Sequence, residues 1–383
     1  MYDPHLARSW LDRHGVSDNT RTVEPAEPAA RQGAETSPAS GPGPARAVSI
    51  FDVAQAAGVS HQTVSRVING RPRVSQTTRE RVLELIDELG YRPNRLARAL
   101  AGGEVRTVTV LTADTTLYGA ARALRGIEEA ARAADFMVSI SVLDDHAPLP
   151  SEDITGRLAR PGEPVLVIAF NEPGLLAWRA LPVGYPAAAV VEMPPGGLDT
   201  GRPVAWLDDG TAAAQATRYL LGLGHRTVHH LAIPSSTTKV GRRTEGWRDA
   251  LADAGRPVHE PLEGGWSPRS AYLAARALVA DPQVTAVLCG NDELALGVLR
   301  AAREAGRDVP RDLSVVGFDD TPYAGFIHPA LTTVRLDFEG LGRGAFGMLH
   351  RLLAPDSAPL PPPWAEPELI VRESTGPAPD RSP

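Results

Sequence analysis

The sequence predicts an α/β chain in which a body of two parallel-sheet subdomains follows a small all-α headpiece. Three observations predict it. From residue 107 onwards, strand-like apolar runs alternate with amphipathic helical stretches. A compact three-helix pattern with serine caps and glycine stops occupies residues 46–91. Charge is divided unevenly between the two regions. Alternating β and α elements imply parallel sheets covered by helices, and 383 residues suffice for two or three domains.

Residues 1–45 are rich in Pro, Ala, Gly, Ser and Glu. Such a stretch cannot bury enough apolar surface to offset its ordering entropy, which predicts a disordered tail. The texture changes at Val48. Ser49 can cap IFDVAQAA, with Ile50, Val53, Ala54 and Ala57 on one face, and Gly58 stops it. Ser60 caps HQTVSRVIN, with Val64, Val67 and Ile68 inward. A third helix starts near Ser75, carries Val82, Leu83, Leu85, Ile86 and Leu89, and ends at Gly90. Two short helices, a glycine turn and a third helix make a helix-turn-helix headpiece over 46–91. Residues 92–103 read as a short hinge helix that starts at Pro93 and stops at Gly102–Gly103. Fewer than ten residues are marginal as an isolated helix, so this one needs a partner to fold against.

Residues 104–376 form the body. TVTVLTA, FMVSISVL, PVLVIAF, PAAAVVE, TVHHLAI, TAVLCG and LSVVGFD read as strands, with helical stretches such as ARALRGIEEAARAA and DELALGVLRAAREAG between them. This is too much for one sheet. The expected division is a first subdomain over about 104–190 and 336–364, and a second over about 191–335 and 365–376. A ligand would lie in their cleft, beyond the carboxyl ends of the strands. PDSAPLPPPWAEP reads as a loop, and 377–383 as a polar tail without heptads.

Composition excludes several classes. Cys289 is the single cysteine, so no internal disulfide can form, which fits a reducing cytoplasm. There is no run of 18 apolar residues and the N-terminus lacks an apolar signal core, so neither membrane nor secretion is expected. No phosphate-binding loop, nucleophile elbow or metal-ligand spacing occurs, so no enzyme activity, metal or cofactor is expected. His229 and His230 are adjacent on a strand and point to opposite faces, so they cannot share a metal. The net charge is −7, yet residues 46–103 hold nine arginines against five acidic residues. A basic module on an acidic body is the asymmetry of a nucleic-acid-binding chain.

The window VSIFDVAQAAGVSHQTVSRVINGRPRVSQTTRERVLELIDELGYRPNRLARALAGG resembles the DNA-binding headpiece of the LacI/GalR family, with DVA, AGVS, TVSRV and LGY in order at the family's spacing. GHRTVHHLA, RTEGWRDAL, GNDELALG and LSVVGFDDTPYAGFIHPALTTV are similar to segments of that family's sensor. The resemblance implies a periplasmic-binding-protein-like two-lobed sensor and a cytoplasmic homodimer on an inverted-repeat operator of double-stranded DNA. It further implies a sugar effector, with a galactoside as one candidate, that releases a repressor from carbohydrate-utilisation genes. An alternative is a co-repressed or activating regulator of the same family. A transport solute-binding protein shares the sensor but would lack residues 46–103.

The resemblance also implies site residues. His61, Gln62 and Arg66 would read base edges in the major groove, where Gln suits adenine and Arg guanine. Ser60, Thr63, Ser65 and Asn69 would hold phosphates. Asn94 and Arg98 would anchor the hinge helix while Leu100 wedges into the minor groove. In the sensor, Arg243 (or its neighbour Arg242), Asn291 and Asp319 would bind hydroxyls. Trp266 would face the sugar ring, Phe338 would close the far wall, and Thr115 would contribute from the first-strand loop.

Overall fold

The computed structural model describes residues 48–68, 74–91, 106–143, 162–194, 201–237, 240–355 and 366–380. Its contacts divide the chain into two units that meet between residues 93 and 94.

In the first unit, α1 (Ile50–Ala57), α2 (His61–Ile68) and α3 (Gln76–Glu88) pack around Val53, Ala54, Val64, Val67, Val82 and Leu85. Ser49 caps α1 reciprocally with Asp52: the Ser49 N–H donates to Asp52 Oδ2 at 2.7 Å, and the Asp52 N–H donates to Ser49 Oγ at 3.4 Å. Gly58 then adopts φ 66°, the left-handed conformation that ends α1 and turns the chain into α2. Leu83 and Leu89 remain largely exposed, so the core is narrower than the run of apolar residues on α3.

The second unit holds two sheets of the same plan. The first comprises β1 (Thr107–Thr112), β2 (Met137–Val142), β3 (Val165–Ile168), β4 (Ala187–Val191) and β5 (Val204–Trp206), in the order β2-β1-β3-β4-β5 and wholly parallel. The second comprises β6 (His229–Ala232), β7 (Leu262–Glu263), β8 (Ala286–Cys289), β9 (Ser314–Asp319), β10 (Thr332–Arg335) and β11 (Glu368–Ile370), in the order β11-β10-β9-β8-β6-β7. Only the β10–β11 pair is antiparallel. Thus β6 to β10 repeat the order of β1 to β5, and β11 is an added edge.

The first lobe carries α4 (Tyr118–Ala133) and α5 (Glu172–Ala180). The second carries α7 (Pro234–Thr237), α8 (Arg243–Asp253), α9 (Pro268–Ala280) and α10 (Asp292–Glu304). Two helices cross between lobes. α6 (Asp209–Gly222) leaves β5 of the first sheet and packs on α8; α11 (Phe338–Leu353) leaves β10 of the second sheet and packs on α4. Both contacts are glycine-tight. A Cβ on Gly246 of α8 would stand 1.8 Å from the Gly210 carbonyl oxygen of α6, and one on Gly342 of α11 would stand 2.1 Å from that of Ala123 on α4.

One expected boundary is corrected. β5 belongs to the first sheet, which therefore extends past the expected limit near residue 190 to Trp206. Three residues after a Pro- and Gly-rich run give no periodicity to read.

Candidate functional site

The carboxyl ends of both sheets converge on one cavity. In each sheet the strand order reverses there, between β1 and β3 and between β6 and β8, the usual position for a ligand crevice. From the first lobe come Thr112, Asp114, Tyr118, Phe170, Asn171 and Glu192; Phe338, the first residue of α11, joins them. From the second come Ile233, Arg243, Trp266, Asn291 and Asp319.

Arg243 is the centre of this site. It opens α8, where a cation meets the positive end of a helix and is disfavoured. It is also almost completely buried. Two carboxylates offset both costs. Nη2 donates to Glu192 Oε1 at 2.5 Å and Nε to Asp209 Oδ2 at 3.2 Å, while Nη1 donates to the Gly290 carbonyl. Three of its five N–H groups are thereby committed, leaving one on each terminal nitrogen. Burial opposes its charge, but Glu192, Asp319 and Asp209 outweigh burial and raise its pKa. Arg242 is engaged differently. Its side chain reaches Glu245 at 2.8 Å and is substantially exposed, so of the two arginines only Arg243 lines the cavity.

Asp319 ends β9 with φ 102°, and Asp320 follows with φ 49°. Two consecutive non-glycine residues at positive φ store strain. The turn is held from outside by Arg335 and Arg372, at 2.7 and 2.6 Å from the Asp320 carboxylate. Asp319 Oδ1 is buried without a hydrogen bond among the described residues, 4.0 Å from Arg243 Nη2. Burial pushes its carboxyl up to about 8 against the pull of Arg243, with Asp292 and Glu192 adding to the rise. Burial also raises Glu192, against the pull of the same guanidinium.

Asn291 and Asn171 do matching work in the two lobes. Each caps the helix after its strand, Asn291 Oδ1 accepting from the Leu294 N–H at 2.8 Å and Asn171 Oδ1 from the Gly174 N–H at 3.1 Å. The caps leave the amide NH2 groups as the donors available to the cavity. Phe338 packs against Phe170 and Tyr118, with ring centroids 5.5 and 6.4 Å away. Trp266 lines the cavity half-buried and rests on the second-lobe core.

Five of the six sensor residues expected from the sequence thus meet in one cavity. Thr115 does not. It is exposed in the loop after β1, and Asp114 and Tyr118 face the cavity in its place. Glu192, Asp114, Tyr118, Phe170 and Asn171 were not expected. Glu192 and Asn171 carry the signal that singled out Asp319 and Asn291, a polar residue directly after an apolar strand. His229 and His230 diverge: His229 stacks on His259 at 4.5 Å, while His230 lies buried between the Leu288 carbonyl and Thr244.

In the headpiece, α2 turns Val64 and Val67 inward and leaves His61, Gln62 and Arg66 exposed. Ser60 Oγ accepts from the Thr63 N–H at 3.2 Å and lies 2.9 Å from Thr63 Oγ1, so the pair caps the start of α2. Ser65 is half-buried on the same helix. The His61 ring sits 5.1 Å from that of Phe51, an exposed aromatic of α1. Asn69, Asn94, Arg98 and Leu100 lie outside the described residues. No described helix is long and apolar enough to cross a membrane.

Comparison with known proteins places these features. Residues 49–94 match the model for bacterial regulatory proteins of the lacI family, and residues 217–375 match a periplasmic binding protein-like domain. The chain is 33% identical over 324 residues to the lactose operon repressor of Escherichia coli K12, covering 80% of this chain and 84% of that protein. It is 33% identical over 316 residues to catabolite control protein A of Priestia megaterium, covering 80% and 92%. Among solved structures, it resembles a Lac repressor dimer bound to operator and the anti-inducer ONPF, with TM-score 0.68, 28% identity and coverage of 86% of this chain and all of that one. It also resembles the regulator CelR in complex with cellobiose, with TM-score 0.59, 29% identity and coverage of 85% and 99%.

Proposed function

The chain belongs to the LacI family of bacterial regulatory proteins, and from that premise we propose that it is a cytoplasmic, homodimeric repressor released from its operator by a sugar bound between the sensor lobes. The observation that carries this reading is the cavity itself. A flat indole, two capping asparagine amides, an arginine with spare donors and a carboxylate oxygen that takes no hydrogen bond among the described residues converge on it. Together they supply what a pyranose asks for, an apolar face and hydroxyl partners of both kinds.

On the operator, Gln62 and Arg66 read base edges with His61, each good bidentate contact contributing roughly 1–3 kcal/mol of discrimination. Ser60, Thr63, Ser65 and Asn69 set the register on the phosphates. By resemblance to the family, residues 92–103 form the second DNA element, with Asn94, Arg98 and Leu100 at the minor groove. Sugar binding and operator binding are then reciprocally coupled, by about 1–3 kcal/mol.

The test is to incubate the purified chain with sheared genomic DNA of its source organism and to sequence what it retains. An inverted repeat beside sugar-uptake or glycosidase genes, lost on adding the cognate sugar, supports the reading. Retention that appears only once a sugar is added reverses the sign of the effector. No enrichment with or without sugars removes it.

A further inference from the structure

We propose that Asp292 is a positioning residue of the effector site: without touching the ligand, it fixes the strained turn that presents Asp319 to the cavity. The proposal rests on the sugar reading above and adds a residue to it.

Asp292 is the first residue of α10, directly after the capping Asn291. It is completely buried and stands behind the cavity wall rather than in it. Both of its carboxylate oxygens are engaged. Oδ2 accepts from the Thr321 N–H at 2.7 Å and from the Thr321 hydroxyl at 2.8 Å, and Oδ1 accepts from the Thr333 hydroxyl at 2.5 Å. Thr321 is the residue that follows the Asp319–Asp320 turn. Thr333 lies on β10, and its Oγ1 accepts from the Asp320 N–H at 3.4 Å. One carboxylate thus holds the exit of the turn directly and its second residue through a single threonine. Because Asp292 follows Asn291 in the chain and anchors Asp319 in space, it also sets these two cavity residues relative to each other.

β9 is shaped around this side chain. A Cβ on Gly317 would stand 2.2 Å from Asp292 Oδ1. Gly317 is not among the glycines at positive φ, so the approach of the carboxylate, not backbone conformation, is what requires a glycine there. A buried carboxylate is costly unless donors compensate it. Three donors and the amino end of α10 do so here. An apolar side chain would fill the same space without that cost, but it could not tie Thr321 to Thr333. Two consecutive residues at positive φ persist only where their surroundings hold them. The arginine pairs on Asp320 reach it from outside, and Arg335 is half exposed, where ion pairs contribute little. The anchor from the core is Asp292.

The test compares the full-length chain with Asp292→Asn, Asp292→Ala and Thr333→Val. Asn keeps an oxygen for Thr321 and offers its amide to Thr333 Oγ1, Ala keeps neither, and Val removes the Thr333 link alone. Affinity is read by calorimetry for the tightest binder among D-glucose, D-galactose, lactose, maltose and cellobiose, and the place of Asp319 by crystallography without sugar. The expected result is a loss of about tenfold or more in Asp292→Ala, a smaller loss in Thr333→Val, and rescue by Asp292→Asn. Asp319 should be displaced only in the weakened variants. The loss should also be non-additive with Asp319→Asn, since groups that act through one another couple. A merely structural residue would lower the unfolding midpoint without that coupling or that rescue. If Asp292→Ala does not fold, Thr333→Val carries the same comparison. Unchanged affinity, additive losses or an unmoved Asp319 would overturn the proposal. If no sugar binds the unaltered chain, the sugar reading loses its support, and the place of Asp319 in the crystals decides the role of Asp292 by itself.

Discussion

The two sensor lobes are built on one plan and furnish the cleft with opposite chemistry. The long helix between the first and second strands begins with Tyr118 in one lobe and Arg243 in the other. The residue before the capping asparagine is Phe170 in one and Gly290 in the other. The two crossover helices begin with Phe338 and Asp209. Only two cleft positions keep their character, the caps Asn171 and Asn291 and the carboxylates Glu192 and Asp319. Equivalent backbone sites thus yield an aromatic wall on one side and an ionic wall on the other. Rings gain free energy on burial with no further condition. Charges must bring counter-ions with them, and Arg243 draws one, Glu192, from across the cleft. The ionic wall is therefore a contact between lobes as well as a binding surface.

The largest expected effect comes from removing the centre of that ionic wall. Arg243→Met leaves three buried carboxylates without their cation. Breaking a buried ionic network by deleting one partner costs roughly 3–5 kcal/mol. The corresponding change on the aromatic wall, Phe338→Leu, keeps the site apolar and costs less, about 1 kcal/mol. Thermal unfolding of both variants sharpens the comparison, and equal losses would show that the two walls contribute to stability in the same way.

Next is the glycine contact that docks α6 on α8. Gly246→Ala puts a methyl where the Gly210 carbonyl already stands, and overpacking of this kind costs typically 1–3 kcal/mol. Gly342→Ala tests the equivalent contact of α11 on α4. If the lobes share a plan energetically as well as geometrically, the two substitutions lower the unfolding midpoint by similar amounts.

The walls also differ in their response to pH. Asp319 is raised from 3.8 to about 8 in the folded chain, so the unfolded chain binds fewer protons between those values. Its contribution to stability is full below about pH 4 and is lost as pH rises towards 8. Asp292, raised to about 6, acts in the same direction. His230 acts oppositely: burial lowers it to about 4 from 6.5, so stability rises across that interval. The contributions offset each other in the acid range, and above about pH 6.5 the decline comes from Asp319 together with Asp209, whose carboxyl burial also raises to about 8. Denaturant midpoints of the ligand-free chain should fall between pH 6.5 and 8, and Asp319→Asn should flatten that fall. An unchanged slope in the variant would assign the decline to other groups.

Legibility in the sequence followed the same physics. All-apolar strands such as β3 and β4 were readable because both faces are buried. β5, β7, β10 and β11 were not: β5 and β7 hold three and two residues, and β10 and β11 carry polar residues. α11 was missed because FEGLGRGAFGMLHRLL contains four glycines, each unfavourable by about 1 kcal/mol in a helix. The close approach to Ala123 explains one of them, and explains why tertiary packing overrides propensity there. In the cleft, family likeness pointed to Arg243, Asn291 and Asp319, while Glu192 and Asp209 escaped. Their role depends on Arg243 being buried, and burial is a property of the fold.

The smallest expected effect separates headpiece from sensor. Ser49→Ala removes the α1 cap and its reciprocal bond to Asp52, at a cost of about 1 kcal/mol. The described headpiece has six buried apolar side chains to set against that loss, and small domains keep little reserve. Amide hydrogen exchange reads the consequence locally. Protection in α1, α2 and α3 should fall about fivefold, the factor that corresponds to about 1 kcal/mol, while the amides of β1, β3, β8 and β9 keep theirs. Equal loss in both places would mean that headpiece and sensor open as one cooperative unit, and cleft chemistry would then reach the recognition helix through shared stability.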